Sequence, residues 1–179
     1  MKKTLLTTLI LTIIILSGCS CNQQTDTIII KKQVIPPDEV YGELWFHDDD
    51  TPLLVPIPTY NTYYNVTGLN TGSTSNTILT NSTIQVNKNG TYQITFLSSF
   101  NGGANTEYKF ELKINNEEKE KCEFHRKIGT GNDVGSGGFT CIQEITTNDI
   151  ISIAADCETN PPADLSITSL NINIHKIGE

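Results

Sequence analysis

Positive charge is the first shortage: 12 Lys and Arg stand against 20 Asp and Glu, for a formal net charge of −8. No basic stripe breaks that balance, and such a surface repels nucleic acid and anionic lipid head groups alike. Helical periodicity is missing too. Beyond residue 18 no segment repeats its apolar residues at the 3.6-residue period, which excludes a bundle or an α/β layer. Reactive motifs are also lacking. There is no Gly-x-Ser-x-Gly elbow, no kinase set, and no pair of carboxylates spaced for acid–base work. The glycine-rich run 129–138 lacks a Gly-Lys-Ser/Thr ending and joins two predicted strands, so it is no phosphate loop. The expectation is a protein that is not an enzyme and needs no cofactor.

What remains is organised around residues 89–100. Tyr92, Ile94 and Phe96 recur every second residue with Gln93 and Thr95 between them, the alternation of a strand with one buried face. Tyr108, Phe110, Leu112 and Ile114 repeat the pattern against Glu107, Lys109, Glu111 and Lys113. Further short strands are predicted over 43–47, 59–67, 77–79, 83–86, 121–128, 139–145, 150–155 and 165–177, with loops over 68–82 and 129–138. In the last strand Leu165 and Ile167 fall on one face and Leu170, Ile172 and Ile174 on the other. Either a bulge shifts the phase or both faces are covered. Many short strands and no helix call for a β-sandwich or barrel.

The amino end reads differently. Lys2 and Lys3 precede an almost wholly apolar run over 5–16, too short to span a bilayer comfortably, and Leu16-Ser17-Gly18-Cys19 follows. This is a secretory signal. Its last four residues resemble the lipobox of bacterial lipoproteins. That resemblance implies cleavage between Gly18 and Cys19, lipidation of Cys19, and a protein held on a bacterial membrane by its acyl chains, facing away from the cytoplasm. An ordinary signal peptide with a cysteine near its end is the alternative. Loss of residues 1–18 removes two lysines and no acid, taking the charge from −8 to −10. Residues 19–39 read as a polar tether ending near Pro36-Pro37, with a reach of about 65 Å when extended. Residues 40–179 form the head.

Within that head, Gly90-x-Tyr92-x-Ile94-x-Phe96, the Asn148-Asp149-Ile150-Ile151 strand start and the apolar last strand resemble the heads of tumour necrosis factors and of the first complement component. Gly42 to Asp48 and Phe124 to Gly129 are similar to segments of the bacterial and phage-type members. The resemblance implies an antiparallel jelly-roll β-sandwich and a homotrimer whose first, central and last strands lie in the inward-facing sheet. Trp45, Tyr92, Leu170, Ile172 and Ile174 are its candidate subunit contacts, with the monomer's own core as the alternative for each. The function it implies is binding or adhesion to a surface ligand, protein or glycan. A prophage-encoded lipoprotein acting on the host or on other phages, and a jelly-roll enzyme, are the rival readings.

Of the 5 cysteines, Cys122 and Cys141 lie in predicted strands joined by the glycine run, and both can face one core. A disulfide is permitted in an exported chain, though directly paired strands hold Cβ atoms wider apart than the bond prefers; buried free thiols are the alternative. Cys157, between Asp156 and Glu158, is read as inert. His47-Asp48-Asp49-Asp50 offers hard oxygen donors but lacks an EF-hand spacing, so a solvated turn is expected there. His47, His125 and His175 fall in separate strands, and no metal site is assigned.

Overall fold

The computed structural model describes residues 39–130 and 133–179. The signal segment, Gly18, Cys19 and all of the tether but Glu39 lie outside the described residues. Among the described residues twelve strands run β1 (Tyr41–His47), β2 (Leu53–Val55), β3 (Tyr64–Asn65), β4 (Asn70–Ser75), β5 (Thr77–Leu79) and β6 (Thr83–Val86), then β7 (Gly90–Asn101), β8 (Glu107–Ile114), β9 (Glu117–Lys127), β10 (Gly135–Ile145), β11 (Ile150–Cys157) and β12 (Leu165–Gly178). Every pairing is antiparallel. One sheet has the order β10-β7-β12-β1-β4, with β2 continuing alongside β12 past the end of β1; the other has the order β5-β6-β11-β8-β9, with β3 against β11. Two facing antiparallel sheets with these crossovers make the all-β jelly-roll sandwich.

The strand over Gly90–Asn101 lies within the first sheet between β10 and β12. Its Tyr92, Ile94, Phe96 and Phe100 are fully buried. Opposite them β8 contributes Tyr108, Phe110, Leu112 and Ile114, all buried. The sheets are joined at one side by a phenylalanine cluster. Phe110 stacks on Phe124 at 5.1 Å between centroids, while Phe96 lies 5.5 Å from Phe110 and 5.3 Å from Phe139. Each such pair contributes about 0.5–1.5 kcal/mol beyond its area burial.

Those rings also decide where the glycine run stops being a loop. A Cβ on Gly137 would come within 2.6 Å of the Phe124 ring, and one on Gly135 within 2.6 Å of Ile128 Cδ1. Strand β10 therefore begins at Gly135, three residues before the glycines end at Gly138. Local composition misled elsewhere as well. Only Tyr64–Asn65 of the predicted 59–67 strand pairs, whereas Asn70–Ser75, expected as loop, pairs with β1. Hydrogen bonds hold that polar strand where burial does not: its backbone ladders with β1, Ser75 Oγ donates to Glu39 O at 3.1 Å, and just past its end Asn76 Nδ2 donates to the same oxygen at 2.8 Å.

The phase change in β12 is a bulge. Its register against β7 shifts between Ile167 and Ser169, and Leu165, Ile167, Leu170, Ile172 and Ile174 all point into one core. Tyr92, Leu170, Ile172 and Ile174 are thus buried within the single chain and cannot meet a neighbour, because an even-period strand sends its apolar set to one face only. Tyr92 further donates its hydroxyl to Lys88 O at 2.7 Å. Among the five expected contact residues only Trp45, 40% exposed, faces outward.

Cys122 and Cys141 are joined by a disulfide with Cα atoms 5.6 Å apart. Their strands are not paired with each other: β9 is the outer strand of one sheet and β10 of the other. The bond spans the sandwich rather than a ladder, which removes the cross-strand spacing objection. Cys157 is a buried free thiol.

Candidate functional site

The two outer faces of the sandwich differ in chemistry. On the first sheet the cross-strand row Trp45, Asn171, Leu97 and Gly138 runs from β1 through β12 and β7 to β10. Beside it run Glu43, Asn173, Thr95 and Thr140, then Tyr41, His175, Gln93 and Ile142. On the far side lie His47, Ser169, Ser99 and Ser136. None of these outward positions holds Lys or Arg. Trp45, Leu97 and Ile142 are 40%, 57% and 62% exposed. The polar residues between them are tied to one another: Asn171 Nδ2 donates to Glu43 Oε1 at 2.7 Å and Asn173 Nδ2 to Asn171 Oδ1 at 3.0 Å. A shallow trough lined by Ser99, Ser136, Gly138, Ser169 and Asn171 runs past Leu97. These four rows hold no cationic side chain but histidine, and a single acid, Glu43.

The second sheet turns a charged grid outward. Cross-strand pairing aligns Asp156, Lys109 and His125 on β11, β8 and β9, and Glu111 with Glu123 beside them. Lys109 Nζ lies 2.6 Å from Glu123 Oε2 and 3.6 Å from Glu111 Oε2. His125 Nδ1 lies 2.9 Å from Glu158 Oε2 and 4.0 Å from Glu107 Oε1, and its Nε2 lies 3.4 Å from Glu123 Oε1. The Tyr63 ring covers the lysines, with Lys113 Nζ 4.9 Å and Lys109 Nζ 5.5 Å from its centre.

Burial sets the charge states here. Tyr63 is pushed up, first by burial and then by Glu111. Burial alone would lower Lys109, but its hydrogen bond to Glu123 outweighs this and holds the ammonium above its ordinary range. Glu123, whose burial works the other way, is held low by Lys109 and His125. Burial and the neighbouring Glu158 raise the Asp156 carboxyl to about 6, against the pull of Lys109 and His125.

The three histidines do not converge: His47 and His175 lie on the outer face of the first sheet, and His125 on the second. At the His47–Asp50 turn, Asp48 Oδ1 accepts the amides of Asp50 and Thr51, each at 2.9 Å, so this carboxylate closes the turn. Sequence reasoning missed Glu107, Glu123, Asp156 and Glu158 as neighbours of His125. The hairpin turn at Asn115-Asn116 is readable, but the register it sets is not kept. From Lys113 to Glu111 on β8, the partner on β9 moves from Glu118 to Glu123. Without that bulge Lys109 would face Cys122 instead of His125.

No family model and no curated protein matches this sequence. Solved structures do match. Eiger TNF from S. frugiperda superposes with a TM-score of 0.59 at 10% identity, covering 79% of this chain and 94% of that one. Murine APRIL at pH 5.0 superposes with a TM-score of 0.55 at 13% identity, covering 78% and 99%. The chain carries a tumour-necrosis-factor-like jelly roll.

Proposed function

We propose that this chain is a lipid-anchored bacterial surface protein whose jelly-roll head is a non-catalytic homotrimer that binds a surface ligand. The observation that carries the trimer is the contrast between the two outer faces. Depletion of charge with retained aromatic and aliphatic groups marks the centre of an interface, whereas a solvated face keeps its ions. Three copies that turn the Trp45–Leu97–Ile142 face inward leave the charged grid and the loops at the ends of the sandwich exposed for recognition. Multivalent display raises avidity without any new contact. A lysine at Leu97 places a charge at the centre of that face. Leu97→Lys is expected to elute as a monomer from a sizing column where the natural chain elutes as a trimer.

The anchor rests on the order of charge, apolar run, small residues and Cys19. It is tested by feeding labelled palmitate to bacteria expressing the full chain. Incorporation that disappears in Cys19→Ser supports the anchor, and label retained in that variant contradicts it.

A further inference from the structure

Apart from the association face, the charged grid on the second sheet brings three possible metal-donor atoms together around His125. One nitrogen of His125 and one oxygen each from Glu107 and Glu158 lie within 4.8 Å of one another. The side chains reach this point from three strands: β8, β9 and the end of β11. The other side of the imidazole is already oriented, since Nε2 lies 3.4 Å from Glu123 Oε1 and the second oxygen of Glu123 lies 2.6 Å from Lys109 Nζ. A histidine held by a carboxylate at one ring nitrogen, with the other nitrogen beside two acids, has the orientation of a metal ligand, and an entering ion displaces the proton between Nδ1 and Glu158.

A second observation is independent of that cluster's geometry. Asp156 is 4% exposed, and its Oδ1 is buried without a hydrogen-bond partner. It occupies the same cross-strand row as Lys109 and His125, among the charges of Glu158 and Glu111. A buried carboxylate oxygen without a hydrogen-bond partner in the same network marks a place where positive charge is missing. The carboxyl groups of Glu107, Glu111, Glu123, Asp156 and Glu158 outnumber Lys109, His125 and Lys127, the last of which stands opposite Glu107.

We propose that Glu107, His125 and Glu158 bind a divalent transition-metal ion of the zinc class, with Glu123 as the positioning residue behind His125 and Asp156 as a buried anion in the same cross-strand row. The donor set decides the class. An imidazole nitrogen with carboxylate oxygens suits zinc and its neighbours, whereas calcium takes six to eight oxygens and magnesium keeps its waters. Bonds of about 2.0–2.2 Å at tetrahedral angles hold donors about 3.4 Å apart. His125 Nδ1 and Glu158 Oε2 are 2.9 Å apart and Glu107 Oε1 lies 4.0 Å from the same nitrogen, so the three donors bracket that spacing. The side chains are partly exposed, so an ion can enter from solvent and a water can fill the remaining position. The site lies on the opposite sheet from the association face and does not depend on it.

The test is calorimetric titration of the full chain, stripped with a chelator, using zinc chloride, beside His125→Ala and Glu123→Gln. His125 is on the surface, so its loss leaves the fold intact. The expected result is one saturable binding phase that weakens at least tenfold in His125→Ala and about 10–100-fold in Glu123→Gln. Cobalt added to isotopically labelled full chain should broaden the amide signals of Glu107, His125 and Glu158 first. Equal zinc affinity in the natural chain and His125→Ala, or broadening centred elsewhere, overturns the assignment.

Discussion

Cys122 and Cys141 tie the outer strand of one sheet to the outer strand of the other, and they do so within the irregular stretch where β9 slips its register against β8. Gln143 Nε2 donates to Cys122 Sγ at 2.9 Å on the inner side of the same bond. The disulfide thus closes the side of the sandwich that the phenylalanine cluster fills, and it fixes the bulge on which the position of His125 depends.

Reducing that bond is expected to loosen the edge before the centre. The loop it closes has a sequence separation of 19, for which chain entropy suggests about 3 kcal/mol of stabilisation. Urea unfolding of Cys122→Ala/Cys141→Ala should show a midpoint lowered to match. Hydrogen exchange should speed up in β9 and β10 first; equal midpoints with and without the bond would contradict this.

The aromatic cluster predicts a steep cost for its middle ring. Phe110 contacts Phe96, Phe100 and Phe124. Phe110→Ala should cost about 3–5 kcal/mol. Gly137→Ala, which adds a single methyl group 2.6 Å from Phe124, should destabilise too, by overpacking. Both are read from chemical denaturation, and a Gly137→Ala chain as stable as the natural one would show that Phe124 yields freely.

Acid should weaken the β10–β11 turn. Burial would raise the Asp149 carboxyl, but hydrogen bonds from Thr146 and Asn115 outweigh it and hold the group below its ordinary range. Asn115 Nδ2 donates to Asp149 Oδ1 at 2.7 Å and Thr146 N to Oδ2 at 2.8 Å. A depressed folded-state value contributes stability that is complete above the unfolded value, about 3.9, and is lost as pH falls through the folded value. Asp149→Asn should therefore lower the denaturation midpoint at pH 7 and differ less from the natural chain near pH 3. A gap that widens in acid would reverse the assignment.

Trp45 is the only tryptophan, and it stands on the uncharged face, so its emission reports on that face directly. Assembly should give a blue-shifted spectrum that moves to the red on dilution and in Leu97→Lys. A spectrum unchanged by either would leave Trp45 facing water at all concentrations.

Alternation made the core strands readable. In β7 and β8 the core-facing residues fall at every second position, and burial follows that period except at Glu111. It did not make direction across the sandwich readable. Tyr92 and Ile172 differ from Leu97 and Asn171 in which side of the pleat they leave, and one residue step reverses that side. Four of the contact residues that the family resemblance named, Tyr92, Leu170, Ile172 and Ile174, fall on the core side of their strands. Strand β4 lacked any signal because Asn, Thr, Gly and Ser alternate nothing; its pairing comes from the neighbour it lies against. The His125 cluster needed the β9 bulge, which no local spacing announces. Glu111 reads as solvent-facing from its strand, yet it is fully buried, because Glu123, Lys109 and the Tyr63 ring crowd over the outer face.

The central claim is that the uncharged face of the first sheet is covered by other copies of this chain. The most direct test is the absolute mass in solution of residues 39–179, by light scattering behind a sizing column. The account predicts three times the mass of one chain, falling to one in Leu97→Lys. A single-chain mass at every concentration would contradict it.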